Sequence, residues 1–288
     1  MTLWAISDLH VGFEANRRAV EALPAYPDDW LILGGDTGDT SAQLQLVLDV
    51  VTTRFAVVIW VPGNHDLWTP RQWPADKRGV AHYERLVDQC RRAGVRTPED
   101  AFAEWPGVTP AVVAPCFTLY DYSFAPDGMS PAKAVAWAAE EKVQCADEVL
   151  LAPSPFPSRE AWCADRVAYT EARLAALPPG LPIVLVNHFP LRSDLAVLPR
   201  VPRFTIWCGS TRTADWHTRF PIEVVVSGHL HMRSTRWRDG VRFEEVSLGY
   251  PAQWRQPQGA ASYLRQILPA PAPRVVAWGH DRTVVRHY

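Results

Sequence analysis

The stretch Glu223–Met232, EVVVSGHLHM, decides how this chain folds. Three consecutive valines followed by a Ser-Gly turn form a run too short for a helix and rich in β-branching, the mark of a buried strand. Beyond the turn stand His229 and His231, separated by one residue. In extended backbone, alternate side chains share a side, so both imidazoles face one place. An apolar core strains against two such groups unless something uses them.

The same event recurs upstream. LWAIS (3–7) runs into Asp8 and His10, and WLILG (30–34) into Asp36 and Asp39. AVVIWV (56–61) is followed by Gly63-Asn64-His65-Asp66, and PIVLVN (182–187) by His188. Amphipathic stretches such as SAQLQLVLDVVTTRF from Ser41 lie between the runs, and this strand–loop–helix rhythm predicts a layered α/β architecture. Alternating segments on either side of Asp239-Gly240 predict one antiparallel hairpin. The less regular stretch from about 67 to 180 reads as an insertion in a single domain spanning 1–288. It carries helices near 81–93, 131–142 and 158–176, and a strand-like patch over 111–124. After the extended connector LPAPAPR, residues from about 269 to 288 read as a C-terminal extension.

Composition narrows the function. Lys plus Arg number 29 and Asp plus Glu 31, a formal net charge of −2. That balance, without basic runs, argues against a nucleic-acid or membrane-surface binder. No signal-peptide pattern opens the chain and no apolar run is long enough to span a bilayer. The 5 cysteines, Cys90, Cys116, Cys145, Cys163 and Cys208, are scattered without paired spacing. They predict buried reduced thiols and a cytoplasmic protein.

In open α/β sheets, ligands bind at the loops beyond the carboxyl ends of strands. Here those loops carry carboxylates, an amide oxygen and imidazoles, a donor set suited to Mn, Fe or Zn. Each motif alone is an ordinary turn; five strand ends carrying the same chemistry predict a pair of metal ions.

The ordered set Asp8-x-His10, Gly35-Asp36-x-x-Asp39, Gly63-Asn64-His65-Asp66, His188 and Gly228-His229-x-His231 resembles the calcineurin-like metallophosphoesterase superfamily. The resemblance implies a four-layer αββα sandwich, with two mixed β-sheets packed face to face and flanked by helices. It also implies a dinuclear centre of divalent or trivalent ions, Mn or Fe/Mn with Zn as a further option. Asp8, His10 and His231 would hold the first metal, Asn64, His188 and His229 the second, and Asp36 would bridge them. His65 would be the non-ligand histidine near the leaving group, oriented by Asp39. The other readings are an eighth ligand for His65 and a loop-stabilising turn for Asp39. One carboxylate can span two cations about 3.5–4 Å apart, and such a pair supplies hydroxide from a bridging water near neutral pH. Relatives with a tyrosinate-ligated ferric ion carry Tyr in the second block, where this chain has Asp39. SLGYP (247–251) replaces the Asn-x-Gly-Ser turn of many relatives.

Metal ligands do not separate monoesters from diesters. The expectation is hydrolysis of a small soluble phosphate ester, with phosphomonoesterase preferred and phosphodiesterase as the alternative. A non-catalytic scaffold would have lost ligands, and none is missing. Arg192, Trp68 and Tyr250 are candidate substrate contacts, with Trp73, Trp207 and Trp254 as further stacking aromatics. Oligomeric state is not legible.

Overall fold

The computed structural model describes residues 1–271 and the backbone strand 284–286. Strands β1 (Leu3–Ile6), β2 (Tyr26–Leu33) and β3 (Phe55–Trp60) run parallel. Strand β10 (Arg265–Leu268) lies antiparallel on the free edge of β1, giving the order β10-β1-β2-β3. The second sheet has seven strands: β4 (Ala103–Trp105), β5 (Ala111–Pro115), β6 (Ile183–Val186), β7 (Ile222–Ser227), β8 (Ser234–Arg238), β9 (Val241–Glu245) and β11 (Val284–Arg286). Its order is β11-β8-β9-β7-β6-β5-β4, with β5, β6, β7 and β9 parallel and the outer pairings antiparallel. Both sheets are therefore mixed.

The two-residue period of the strands sorts side chains into two cores. Leu3, Ala5, Ile32, Ile59, Val61, Val113, Val184, Val186, Val224 and Val226 form a layer contributed by both sheets. The alternate residues Ile6, Leu31, Leu33, Val58, Trp60, Val112, Ala114, Leu185 and Val225 join the core that helices cover. The covering helices are α1 (Glu14–Glu21), α2 (Ser41–Val51), α3 (Val80–Arg92), α4 (Pro131–Glu140), the single turn α5 (Asp147–Leu150) and α6 (Arg159–Ala175). Their starts follow local chemistry: Thr40, Ser130 and Ser158 each accept the amide of the residue three positions on, satisfying an orphan donor. The fold is the expected four-layer sandwich.

The stretch 67–180, read as an insertion, supplies β4 and β5 to the larger sheet as well as α3 to α6. Of the strand-like patch 111–124, only Ala111–Pro115 is strand. The expected hairpin forms as β8 and β9 around Asp239-Gly240. The expected C-terminal extension lies largely outside the described residues.

Candidate metal centre

All the strand-end loops of the sequence reading meet at one edge of the sandwich. They are stitched together by backbone: Asp8 N–H donates to the Gly35 carbonyl at 2.9 Å, His10 to Asp36 at 3.1 Å, and Gly228 to His188 at 2.9 Å. Asp8, His10, Asp36, His229 and His231 all have positive φ, at 54°, 42°, 53°, 70° and 52°. Residues with a Cβ pay for that backbone, so it persists where surroundings force it, and such positions cluster at functional sites. Glycine is required beside them. A Cβ on Gly35 (φ +93°) would lie 2.6 Å from Gly63 N and His188 Nδ1, and one on Gly63 would enter the Asp36 carboxylate.

Three trios of donor atoms lie within 4.8 Å of one another: Asp8–His10–His231, His10–Asp36–His65 and Asp36–His188–His229. Asp36 belongs to two of them, as a bridging carboxylate must. His231 Nε2 lies 3.0 Å from Asp8 Oδ1 and 3.3 Å from His10 Nε2. His188 Nε2 lies 3.5 Å from Asp36 Oδ2, and the Asn64 Oδ1 and His229 Nδ1 atoms approach to 3.1 Å. The seven residues expected as ligands lie together here, and His65, expected outside that set, shares a trio with His10 and Asp36.

The fit to cations is tested by an orphaned nitrogen. Nε2 of His188, the nitrogen 3.5 Å from Asp36 Oδ2, is buried without a hydrogen-bond partner among the described residues, an arrangement native proteins rarely leave unused. In His188, Nδ1–H donates to the Gly34 carbonyl at 2.8 Å, so Nε2 is the nitrogen turned toward Asp36. Burial lowers its pKa, but Asp36 and Asp8 raise it to about 10, and a cation there would take the place of that proton. Burial brings His10 down to about 4, and burial with the His188 charge brings His229 to about 3, so both rings are neutral donors. Burial opposes ionisation of Asp8 and Asp36, yet the neighbouring imidazoles outweigh it and hold both carboxyls below their ordinary range. Two buried carboxylates, with neutral His10 and His229 beside them and with His188 and His231 drawn toward the protonated form by those carboxylates, make an anionic cradle that suits a cation by charge as well as by geometry.

His65 stands beside this cluster. Its Nδ1 is 2.7 Å from Asp39 Oδ1, its backbone N–H donates to Asp36 Oδ1 at 2.8 Å, and the Trp68 ring lies 3.6 Å away between centroids. Burial alone would lower its pKa, but Asp36 and the Asp39 hydrogen bond raise it to about 9. Tyr250 stacks on His10 at 4.6 Å and is 37% exposed, so it borders the site. Arg192 faces elsewhere: it donates to Asp194 at 2.8 Å and to the Ala214 carbonyl at 3.3 Å. Trp207 and Trp254 are buried and donate to Glu148 and Asn16, which removes them as stacking platforms.

Three supporting residues escaped the sequence reading. Asp66 accepts the amides of Asp36 (2.8 Å), Gly63 (2.9 Å) and Thr37 (3.2 Å), clamping the loops after β2 and β3. Its place in Gly-Asn-His-Asp was the available signal. Gln253 Oε1 lies 2.7 Å from His231 Nδ1, and Asp147 Oδ1 accepts from Asn64 Nδ2 at 3.0 Å. Neither carries a local sequence signal.

Residues 1–233 match the calcineurin-like phosphoesterase family. The chain belongs to this family and is a metallophosphoesterase. It is similar to the [acyl-carrier-protein] phosphodiesterase PptH of Mycobacterium tuberculosis, with 51% identity over 273 residues, covering 94% of this chain and 84% of that protein. The crystal structure of phosphopantetheinyl hydrolase PptH from the same organism superposes with a TM-score of 0.88 at 50% identity, covering 94% of this chain and 98% of that one. Among the described residues no helix is long and apolar enough to cross a membrane.

Proposed function

We propose that this chain hydrolyses the phosphodiester that joins a phosphopantetheinyl group to an acyl carrier protein. The reading is carried by its 51% identity, over 94% of its length, to a protein of that named activity. The likeness favours the phosphodiesterase alternative over the phosphomonoesterase preferred from sequence. It also favours a protein-borne ester over a small soluble one. Asp8, His10 and His231 would hold one cation, Asn64, His188 and His229 the other, and Asp36 both. Mn or Fe/Mn suits the oxygen and nitrogen donors, with Zn also compatible. Bound there, the ions would act as Lewis acids on the phosphoryl oxygens and lower the pKa of water.

The chain's own residues do the rest. Cationic His65, held by Asp39, donates a proton to the departing carrier-protein oxygen, a role suited to imidazole. Trp68 fixes its ring, and Tyr250 walls the opposite side over His10. Five free cysteines, four of them buried, support a reducing, cytoplasmic setting.

The test is to incubate manganese-loaded enzyme with phosphopantetheinylated carrier protein and follow the carrier's mass. Release of phosphopantetheine by wild type but not by Asp36→Asn is expected. An unchanged carrier mass, with para-nitrophenyl phosphate cleaved faster than its bis ester, would restore the monoesterase reading.

A further inference from the structure

Asp147 opens α5, 83 residues from Asn64 in sequence, and its side chain is fully buried. One oxygen, Oδ1, takes both Asn64 Nδ2 at 3.0 Å and Trp68 Nε1 at 2.6 Å. The other, Oδ2, has no hydrogen-bond partner among the described residues. A buried carboxylate half satisfied is a costly arrangement for packing alone. We infer that Asp147 is a positioning residue that sets the amide of Asn64 toward the second cation position and, through Trp68, the ring of His65.

The argument for Asn64 is one of valence. A carboxylate only accepts, so it takes the NH₂ end of the amide and turns Oδ1 the other way. That Oδ1 is the atom 3.1 Å from His229 Nδ1. A flipped amide would present NH₂ to a cation and bind nothing. For His65 the link is the indole: Nε1–H of Trp68 is pinned by Asp147, and its ring lies 3.6 Å from the imidazole at a 31° tilt. A ring fixed in this way holds His65 where Nδ1 meets Asp39.

The carboxylate has a firm base. Thr69 N–H donates to the Leu150 carbonyl at 3.0 Å, tying α5 to the loop that carries Asn64 and His65. Arg159 donates to the Asp147 carbonyl at 3.0 Å and to Glu148 at 3.1 Å, while Tyr122 and Trp207 each donate to Glu148 at 2.7 Å. The side chain of Asn64 thus meets the irregular middle of the chain at the Asp147 carboxylate.

The inference rests on the phosphoesterase reading above, and its test separates the two. Asp147→Asn keeps an accepting oxygen for both donors; Asp147→Leu removes it at similar volume. Manganese equivalents and affinity are measured without substrate, then kcat and KM on bis(para-nitrophenyl) phosphate. Asp147→Leu should weaken one of the two metal equivalents and lower kcat, each by about 10- to 100-fold, with KM little moved. Asp147→Asn should restore both. Trp68→Phe, which removes only the indole donor, should keep two equivalents and lose kcat. Wild-type metal affinity and kcat in Asp147→Leu, or equal damage in Asp147→Asn, overturns the inference. If Asp147→Leu does not fold, unchanged kcat in Trp68→Phe overturns it. Wild type that binds two equivalents yet cleaves no diester fails the proposed function, while metal affinity still judges Asp147.

Discussion

His65 lies between two acids with different tasks: Asp36, which accepts its backbone amide, and Asp39, which meets its ring. Because its hydrogen bond to Asp36 comes from the backbone, which the substitution keeps, His65→Ala should keep two metal equivalents and lower kcat by about a hundredfold. Metal loss in that variant would make it a ligand instead. Asp39→Asn tests the partner. His65 donates only when protonated, so activity that needs it is present below its pKa and lost as pH rises through it. Removing the Asp39 charge lowers that pKa, and the alkaline limb of kcat should move to lower pH; an unmoved limb would leave Asp39 as a loop residue. The left-handed backbone at the ligands gives a second residue-level expectation. At His229, φ is 70°, which glycine adopts freely and alanine does not. In metal-free protein, His229→Gly should be more stable to urea than His229→Ala by about 1 kcal/mol. The reverse order would mean the loop relaxes out of that conformation.

At the level of elements, α3 carries a titrating group against the back of the site. His82 is buried, with Nε2 3.1 Å from the Asp66 carbonyl and no partner for Nδ1 among the described residues. Burial, helped by Arg85 and opposed by the Asp66 hydrogen bond, lowers its pKa from 6.5 to about 4. The unfolded chain therefore takes up the proton first. The stability His82 contributes is complete above pH 6.5 and is lost as pH falls toward 4. Between pH 7.5 and 5 metal-free wild type should lose about 2 kcal/mol more than His82→Gln, which keeps the donor but does not titrate. Equal losses by urea titration would refute this. Helix α3 itself was legible, from the apolar spacing over 81–93, as were the strands ending at Asp8, His188 and His229, because buried β-branched runs have few alternatives. The role of β5 was not, since nothing local in AVVAP says that it pairs with β6, some seventy residues on. Asp66 was visible but its task was not, because it acts on three backbone amides that only folding brings together. Asp147 was invisible: its partners belong to another loop. Arg192 looked like a phosphate contact by proximity to His188 in sequence, and Asp194 took it instead.

Across the whole molecule the ligand candidates divide between the two sheets. Asp8, His10, Asp36 and Asn64 follow β1, β2 and β3, while His188, His229 and His231 follow β6 and β7. Each trio within 4.8 Å that includes His188 or His231 draws on both sheets, and Asp36 and His229 meet across the same boundary. Cations held there would fasten one sheet to the other at the edge where the loops are most strained. The inter-sheet valine and isoleucine layer holds the sandwich behind them, so metal removal should soften the fold without abolishing it. Ions that bind only the folded chain stabilise it by about 2.7 kcal/mol at a hundredfold excess over Kd, and about 4.1 at a thousandfold. For a chain of this size that is a fall in Tm of about 5–7 °C for each ion removed by chelation. Asp36→Asn, which loses the carboxylate common to both positions, should melt near the chelated wild type and respond little to added manganese. Equal melting of loaded and chelated wild type would show that the sheets do not depend on the site for cohesion. A manganese response in Asp36→Asn as large as in wild type would place the bridge on another residue.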